Sequence, residues 1–342
     1  MEKTSKSPVK SILTIVISLA FAGFFLWLAL RGLDFKVIQK SLAKANYIWV
    51  LFASVFGLLA YWFRAIRWNL MLEPMGHRIS NSNALWSISF GYLMNLTIPR
   101  SGEVARATAL YGVEKVPVDK SFGTIILERV VDLICMLGFL GLTLLFKYDA
   151  ILSFYKNSGV NINPTKIIFI LSILVIGTVL FFVFRKKLAE VPFLGKVVSF
   201  IDGIFKGITS VFKLKEKGKF ILYTLGIWIC YYLAAYLVCF ALPETSAFTF
   251  ADGFFIIVVG TLGMIIPASG GIGAYNLAMK YGFMALFISV GKSADFGGEM
   301  GLTYSFISLP LQIVIMLVMG LISIPMLAKA RNTAVSDKEF EN

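Results

Sequence analysis

Histidine occurs once in 342 residues, cysteine three times, and charged side chains make up only 15% of the chain. The single histidine, His77, has no second ligand at metal spacing, and Cys135, Cys230 and Cys239 all fall in apolar runs without a Cys-x-x-Cys. No metal site, disulfide framework or redox motif is therefore expected, and the cysteines read as small packing residues. Gly291-Lys292-Ser293 ends like a P-loop, but Leu286 stands where the first glycine of that motif belongs, which removes a Walker nucleotide site. No nucleophile has a base beside it in sequence, so no enzyme motif and no cofactor are indicated. A soluble domain carries roughly 25% charged residues. The shortfall here, with 58% hydrophobic residues and a mean hydropathy of +0.81, marks an integral membrane protein. The longest stretch without an apolar run, 185–219, is far short of the ~100–150 residues of an independent domain, so no soluble catalytic domain is expected.

A helix needs about 20 apolar residues to cross a ~30 Å hydrocarbon core. Six stretches meet that requirement: 11–30, 46–63, 121–146, 166–184, 219–241 and 301–326. The first reads as a retained anchor rather than a signal peptide, because Leu28-Ala29-Leu30 is followed by Arg31-Gly32-Leu33 and not by a small-residue cleavage site. Two further apolar stretches stop at the same break. Residues 84–99 end in Ile98-Pro99-Arg100-Ser101-Gly102, and 253–266 end in Ile266-Pro267-Ala268-Ser269-Gly270. Proline removes a backbone donor and glycine permits positive φ, so each break predicts a turn between two half helices. The expected architecture is an all-α polytopic membrane protein with about six spanning helices and two re-entrant broken hairpins. The competing readings are ordinary spanning pairs or surface-lying helices, and for 253–290 two full spans.

Net charge is +13, and the excess sits in loops, where orientation and anionic headgroups explain it better than nucleic acid. With both termini cytoplasmic and both hairpins returning to their side of entry, the inside segments carry 22 Lys and Arg and the outside ones 9, as the positive-inside rule requires. The hairpins then enter from opposite sides, the arrangement of an inverted repeat, and their breaks meet near the midplane. One transmembrane domain, 11–326, lies between a short segment, 1–10, and a polar tail, 327–342, expected to be unstructured from Arg331. Within 191–213, Phe193, Val197, Phe200, Ile201, Ile204, Ile208 and Phe212 fall at helix spacing among lysines. That pattern describes an amphipathic helix, lying on the cytoplasmic leaflet or packed on the protein.

Charges near a bilayer centre cost at least about 2.5 kcal/mol each, so Glu128, Arg129 and Asp132 within the third long span need partners or water. Spacing i, i+4 places Glu128 and Asp132 on one face, as a functional pocket or an interfacial salt-bridge cluster. Around the first break stand Asn95, Arg100, Glu103 and Arg106. A helix restarting near Ser101 offers free N–H groups that, with Arg100 and Arg106, favour a phosphate or carboxylate, and Glu103 is placed to hold Arg106. At the second break Gly270, Gly271 and Gly273 precede Tyr275-Asn276 and let backbone approach a ligand. Arg64, Arg67 and Trp68, at the end of the second span, read either as interfacial contacts to lipid phosphate with the indole setting depth or as plain positive-inside anchors. Lys280 snorkels outward or faces the cavity.

Arg64-Ala-Ile-Arg67-Trp68, Gly91-x-x-x-Asn95-x-x-x-Pro99-x-x-Gly102-Glu103-x-x-Arg106, Glu128-Arg129-x-x-Asp132 and Pro267-x-x-Gly270-Gly271-x-Gly273 together resemble the lysylphosphatidylglycerol synthase transmembrane, flippase-like family. The resemblance covers about 11–326. That family includes the membrane portion of the bacterial multiple peptide resistance factor, which moves aminoacylated phosphatidylglycerol between leaflets. It implies translocation without synthesis, because the synthase domain of the fused members has no counterpart here. Where the family's second motif usually ends in Glu, this chain has Asn276, which puts a coupling or headgroup role at that position in doubt. The expectation is a lipid translocase in a bacterial cytoplasmic membrane. Arg100, Arg106 and Arg129 would hold an anion, and Glu103, Glu128 and Asp132 would orient them or receive a cationic or sugar headgroup. Its partners would be lipids with anionic or glycosylated headgroups, together with a second copy or a lipid-synthesis enzyme. Two other readings stay open: a membrane enzyme using Glu128 or Asp132 as general acid or base, and a non-transporting scaffold of an envelope-synthesis complex.

Overall fold

The computed structural model describes residues 35–98, 100–157, 214–266 and 269–340. The expected spans 11–30 and 166–184 and the amphipathic helix at 191–213 lie outside the described residues. Those described form ten α-helices and no strand, as an all-α membrane protein requires.

The two short helices Phe35–Lys44 (α1) and Tyr148–Asn157 (α6) flank the bundle. Tyr47–Leu72 (α2) and Lys217–Cys239 (α7) form its central antiparallel pair. Asn46 caps α2 by accepting from the Ile48 N–H at 3.1 Å, and its own N–H donates to the Ala241 carbonyl just beyond α7 at 2.8 Å. Further along, Phe63 lies against Gly226 and Tyr223. The apolar run of α2 was expected to stop at residue 63. The helix continues nine residues further because Arg64 and Arg67 turn inward to partners on other helices.

The first break separates Asn81–Thr97 (α3) from Gly102–Glu114 (α4), and the second separates Phe250–Ile265 (α8) from Ala274–Ser289 (α9). The longest of these arms, 17 residues, spans about 26 Å at 1.5 Å per residue, short of a ~30 Å core. Both pairs are closed hairpins. The Glu114 carboxylate accepts from the Ser80 N–H at 2.9 Å and the Asn83 amide at 2.7 Å, tying together the open ends of the first. In the second, the rings of Phe248 and Phe287 are 5.8 Å apart, Gly282 packs on Val259, and Gly263 on Ala278. The stretch 253–290 thus folds as a helical hairpin with arms of 16 residues each.

The open end of the first hairpin adjoins the C-terminal end of α2, where Asn69 bonds the backbone of Ile79 in both directions. The second opens beside the other end of the bundle, where α7 finishes and Lys147 meets Asp252 at 2.7 Å. The hairpins therefore enter from opposite ends. Their tips meet: the Arg100 guanidinium donates to the Ile265 carbonyl at 3.0 Å, and Leu96 lies against Gly270.

The remaining long helices, Val118–Phe146 (α5) and Ala294–Phe340 (α10), each pack on the first arm of the other half's hairpin. Phe139 and Phe146 of α5 meet Phe254 of α8, and Gly320 of α10 sits on Leu93 of α3. Helix, hairpin and long helix thus recur in the same order with opposite entry, as expected of an inverted repeat. Helix α10 carries Pro310 and Pro325 within it and continues to Phe340. The tail expected to be unstructured from Arg331 is therefore helical over 331–340, where neither glycine nor proline interrupts.

Candidate functional site

Glu128 on α5 is fully buried and accepts a two-pronged bond from Arg106 of α4, at 3.2 and 3.0 Å. Arg64 of α2 reaches the same carboxylate at 3.1 Å and also bonds Asp132 and the Tyr92 hydroxyl. Arg67 bonds Asp132 at 3.1 Å and the Thr224 hydroxyl of α7 at 3.4 Å. Arg129 is half exposed and pairs with Glu103 at 3.3 Å. Four guanidinium groups thus meet three carboxylates, leaving the cluster one positive charge in excess. Fork-shaped guanidiniums suit such burial because each satisfies several oxygens at once.

Trp68 completes the cluster. Its ring lies 3.7 Å from the Arg106 guanidinium carbon, and its indole N–H donates to Thr124 at 2.8 Å. Arg64, Arg67 and Trp68 are all buried, so the expectation that they face lipid phosphate at the interface is corrected. A basic pair at the end of an apolar run carries the same sequence signal whether it anchors to headgroups or neutralises acids on a neighbouring helix.

Two further expectations change. Glu103 was placed to hold Arg106, but it pairs with Arg129, and Arg106 belongs to Glu128. The expected anion site at the restart of α4 is occupied by the protein itself. The Gly102 N–H donates to Asn95 Oδ1 at 2.7 Å, and Ser101 Oγ donates to the Met94 and Ile98 carbonyls. Arg100 reaches across to the other hairpin. Of the three arginines expected to hold one anion, only Arg129 lines the large cavity.

That cavity, about 400 Å³, is lined by residues of α2, α3, α5, α7, α8, α9 and α10. Arg64, Arg129, Asp132, Tyr275, Ser308 and Gln312 are among its polar lining residues, and apolar side chains such as Ile256 and Ile257 line it as well. A much smaller cleft joins Asn95, Glu103, Arg106 and Arg129 beside the first hairpin.

At the second hairpin Gly270, Gly271 and Gly273 have φ of 62, 74 and 83°, the left-handed region open to glycine. Asn276 Oδ1 accepts from the Gly273 N–H at 2.9 Å, and its amide donates to Ser305 at 2.7 Å. Tyr275 reaches Ser308 at 2.9 Å. Lys280 is half-buried, with its stem against Gly298. Tyr61, Tyr92, Thr224, Trp228 and Tyr231 were not singled out from sequence, because aromatic residues are ordinary in apolar helices. The i, i+3 spacing of Tyr61 with Arg64 and of Trp228 with Tyr231 was the available signal.

Broken hairpins entering from opposite ends, a buried ion cluster and a central cavity define a polytopic membrane protein built around an internal polar site. The chain belongs to the family described as the lysylphosphatidylglycerol synthase TM region, whose model matches residues 15–318. It is 29% identical over 129 residues to the UPF0104 membrane protein MJ1595 of Methanocaldococcus jannaschii, covering 37% of this chain and 38% of that protein. It is 27% identical over 132 residues to the glycosyltransferase AglD of Haloferax volcanii, covering 38% of this chain and 21% of that protein. The match spans less than two-fifths of the length of either relative. No solved structure matches.

Proposed function

We propose that the protein is a lipid translocase, and not an enzyme, that admits a polar headgroup into the central cavity while the acyl tails stay in lipid. The observation that carries this reading is the cavity itself, with a charged wall of Arg64, Arg129 and Asp132 beside the meeting tips of two oppositely entering hairpins. Cavities at the interface of inverted repeats suit alternating access, because one repeat can rock against the other around a fixed site. The family supports a membrane lipid role, and the Haloferax relative is named as a glycosyltransferase. Glu128 has both oxygens held by arginines, which argues against its use as a general acid or base. The Lys and Arg bias supports both termini on the cytoplasmic side, and the bacterial members of the family suggest the cytoplasmic membrane of a bacterium.

The test is reconstitution into vesicles of native lipid extract. The protein is expected to accelerate leaflet exchange of a headgroup-labelled lipid over protein-free vesicles, and Arg129→Ala to slow it. No acceleration for any native lipid class would overturn the proposal.

A further inference from the structure

The two long helices are shared between the halves of the molecule, and α10 changes partners along its length. In its N-terminal part Gly297 and Gly301 lie against Phe283 and Met279 of α9, Ser305 accepts from the Asn276 amide, and Ser308 meets Tyr275. Further on, Ile313 touches Gly270 where the hairpin tips meet, Ile315 lies against Gly57 of α2, and Gly320 against Leu93 of α3. One part of this helix therefore packs with the second hairpin and the other with the first half.

Pro310 stands close to that change. It has no N–H to offer the Phe306 carbonyl, and its ring crowds that oxygen, which makes proline the commonest cause of a sharp bend in a helix. The cavity is lined from both sides of it, by Tyr304 and Ser308 before and by Gln312 and Met316 after, so a bend at Pro310 alters the cavity's shape. Helix α5 makes the same crossing between halves, with Glu128 on Arg106 of α4 and Phe139 on Phe254 of α8, and has no proline within it. The second proline of α10, Pro325, lies beyond Gly320 between the exposed side chains of Ile324 and Met326.

Resting on the translocase reading, we infer that Pro310 is the hinge about which the second hairpin, carried by the N-terminal part of α10, rocks against the first half, with the cavity at the pivot. Pro325 has no part in that motion.

The test places spin labels at Phe296→Cys and Leu321→Cys, two exposed positions on either side of Pro310, in a chain whose three native cysteines are replaced by alanine. A straight helix sets them about 38 Å apart, and bending shortens that distance. In nanodiscs of native lipid the wild type is expected to show two distances. Pro310→Ala restores one backbone hydrogen bond to the straight form and should leave the longer distance alone, with leaflet exchange about tenfold slower and thermal melting equal to wild type or higher. Pro310→Gly keeps the helix easy to bend and should retain both distances and near wild-type exchange, and Pro325→Ala should change neither. Should the alanine variant not fold, the wild-type distances and the glycine variant decide alone. A single narrow distance in the wild type, distances that Pro310→Ala leaves unchanged, or Pro325→Ala acting as Pro310→Ala does would each overturn the inference. Two distances without exchange of any lipid would sink the translocase reading and leave the hinge, whereas unchanged exchange in a Pro310→Ala protein held straight would sink the hinge and leave the translocase reading.

Discussion

The first hairpin answers its break with Asn95 Oδ1 accepting from the Gly102 N–H at 2.7 Å, and the second with Asn276 Oδ1 accepting from the Gly273 N–H at 2.9 Å. An interrupted helix exposes backbone donors that must be matched away from water, and one asparagine does this in each half. Around that shared device the chemistry diverges. The first hairpin sends Arg106 to Glu128 and Glu103 to Arg129, whereas the second places Asn276 on Ser305 and Tyr275 on Ser308, with no formal charge in either contact. The repeat supplies the scaffold and the exchange of long helices. The buried arginine–carboxylate cluster lies in the first half.

The largest expected break in that comparison is Glu128→Gln. Removing one partner of a buried ion pair costs about 3–5 kcal/mol, and here it strips the two-pronged bond of Arg106 and a partner of Arg64. On the neutral side, Asn276→Ala loses two neutral hydrogen bonds and should cost about 1–3 kcal/mol. Thermal or denaturant unfolding in one detergent reads both. Equal losses would show that the halves are energetically alike.

Asn276→Glu tests the neutral half from the other direction by installing the family's usual residue. The hydrogen-bond contacts of Asn276 are the Gly273 N–H and the Ser305 hydroxyl, both uncharged, so a carboxylate there should be accommodated poorly and the variant should melt below wild type by the equivalent of about 1–3 kcal/mol. A variant that melts at or above wild type would mean that a cation reaches this position, and Lys280, one turn further along the same helix, is the one to replace next.

Much of this contrast is legible in sequence. The repeated Ile-Pro-x-Ser-Gly breaks both helices because proline and glycine act locally. Glu128, Arg129 and Asp132 stand out because charge in an apolar run has no cheap explanation. Partner choice is not legible, since it depends on how helices distant in sequence are set side by side. Glu103 goes to Arg129 rather than to Arg106 on its own helix, and Arg64 and Arg67 go inward rather than to the interface. The Tyr61 hydroxyl and the Trp228 indole, both buried without a hydrogen-bond partner among the described residues, are hidden for the same reason, because nothing in a sequence shows that such a group lacks a partner.

The two arms of each hairpin also meet differently. A methyl at Gly102 would lie 2.4 Å from the Gly91 carbonyl oxygen and 2.5 Å from the Asn95 amide nitrogen, whereas one at Gly263 would meet the Ala278 Cβ at 2.8 Å. The methyl at Gly263 would also meet the Tyr275 Cα at 3.0 Å, so both sites press on atoms fixed to the backbone. The contacts at Gly102 are the tighter, and Gly102→Ala should be the more damaging. We expect a loss of about 1–3 kcal/mol, with Gly263→Ala at the lower end. The reverse order would place the tighter constraint in the second hairpin.

The smallest effect is expected where the hairpins touch. The first turn adopts φ of 60° at Arg100, a residue with a side chain, while the second uses glycines. A left-handed residue costs roughly 1–2 kcal/mol when it is not glycine, and Arg100 recovers part of that through its bond to the Ile265 carbonyl. Arg100→Ala keeps the backbone cost and loses the bond, so it should fall about 1 kcal/mol below wild type. Arg100→Gly loses the same bond and removes the cost, offset by the unfolded freedom of glycine at roughly 0.5–1 kcal/mol. The glycine variant should therefore melt above the alanine variant and close to wild type. An alanine variant that matches the glycine variant would mean that the turn relaxes once the arginine lets go, and that the cross-hairpin bond, not the chain, holds the first break in its left-handed form.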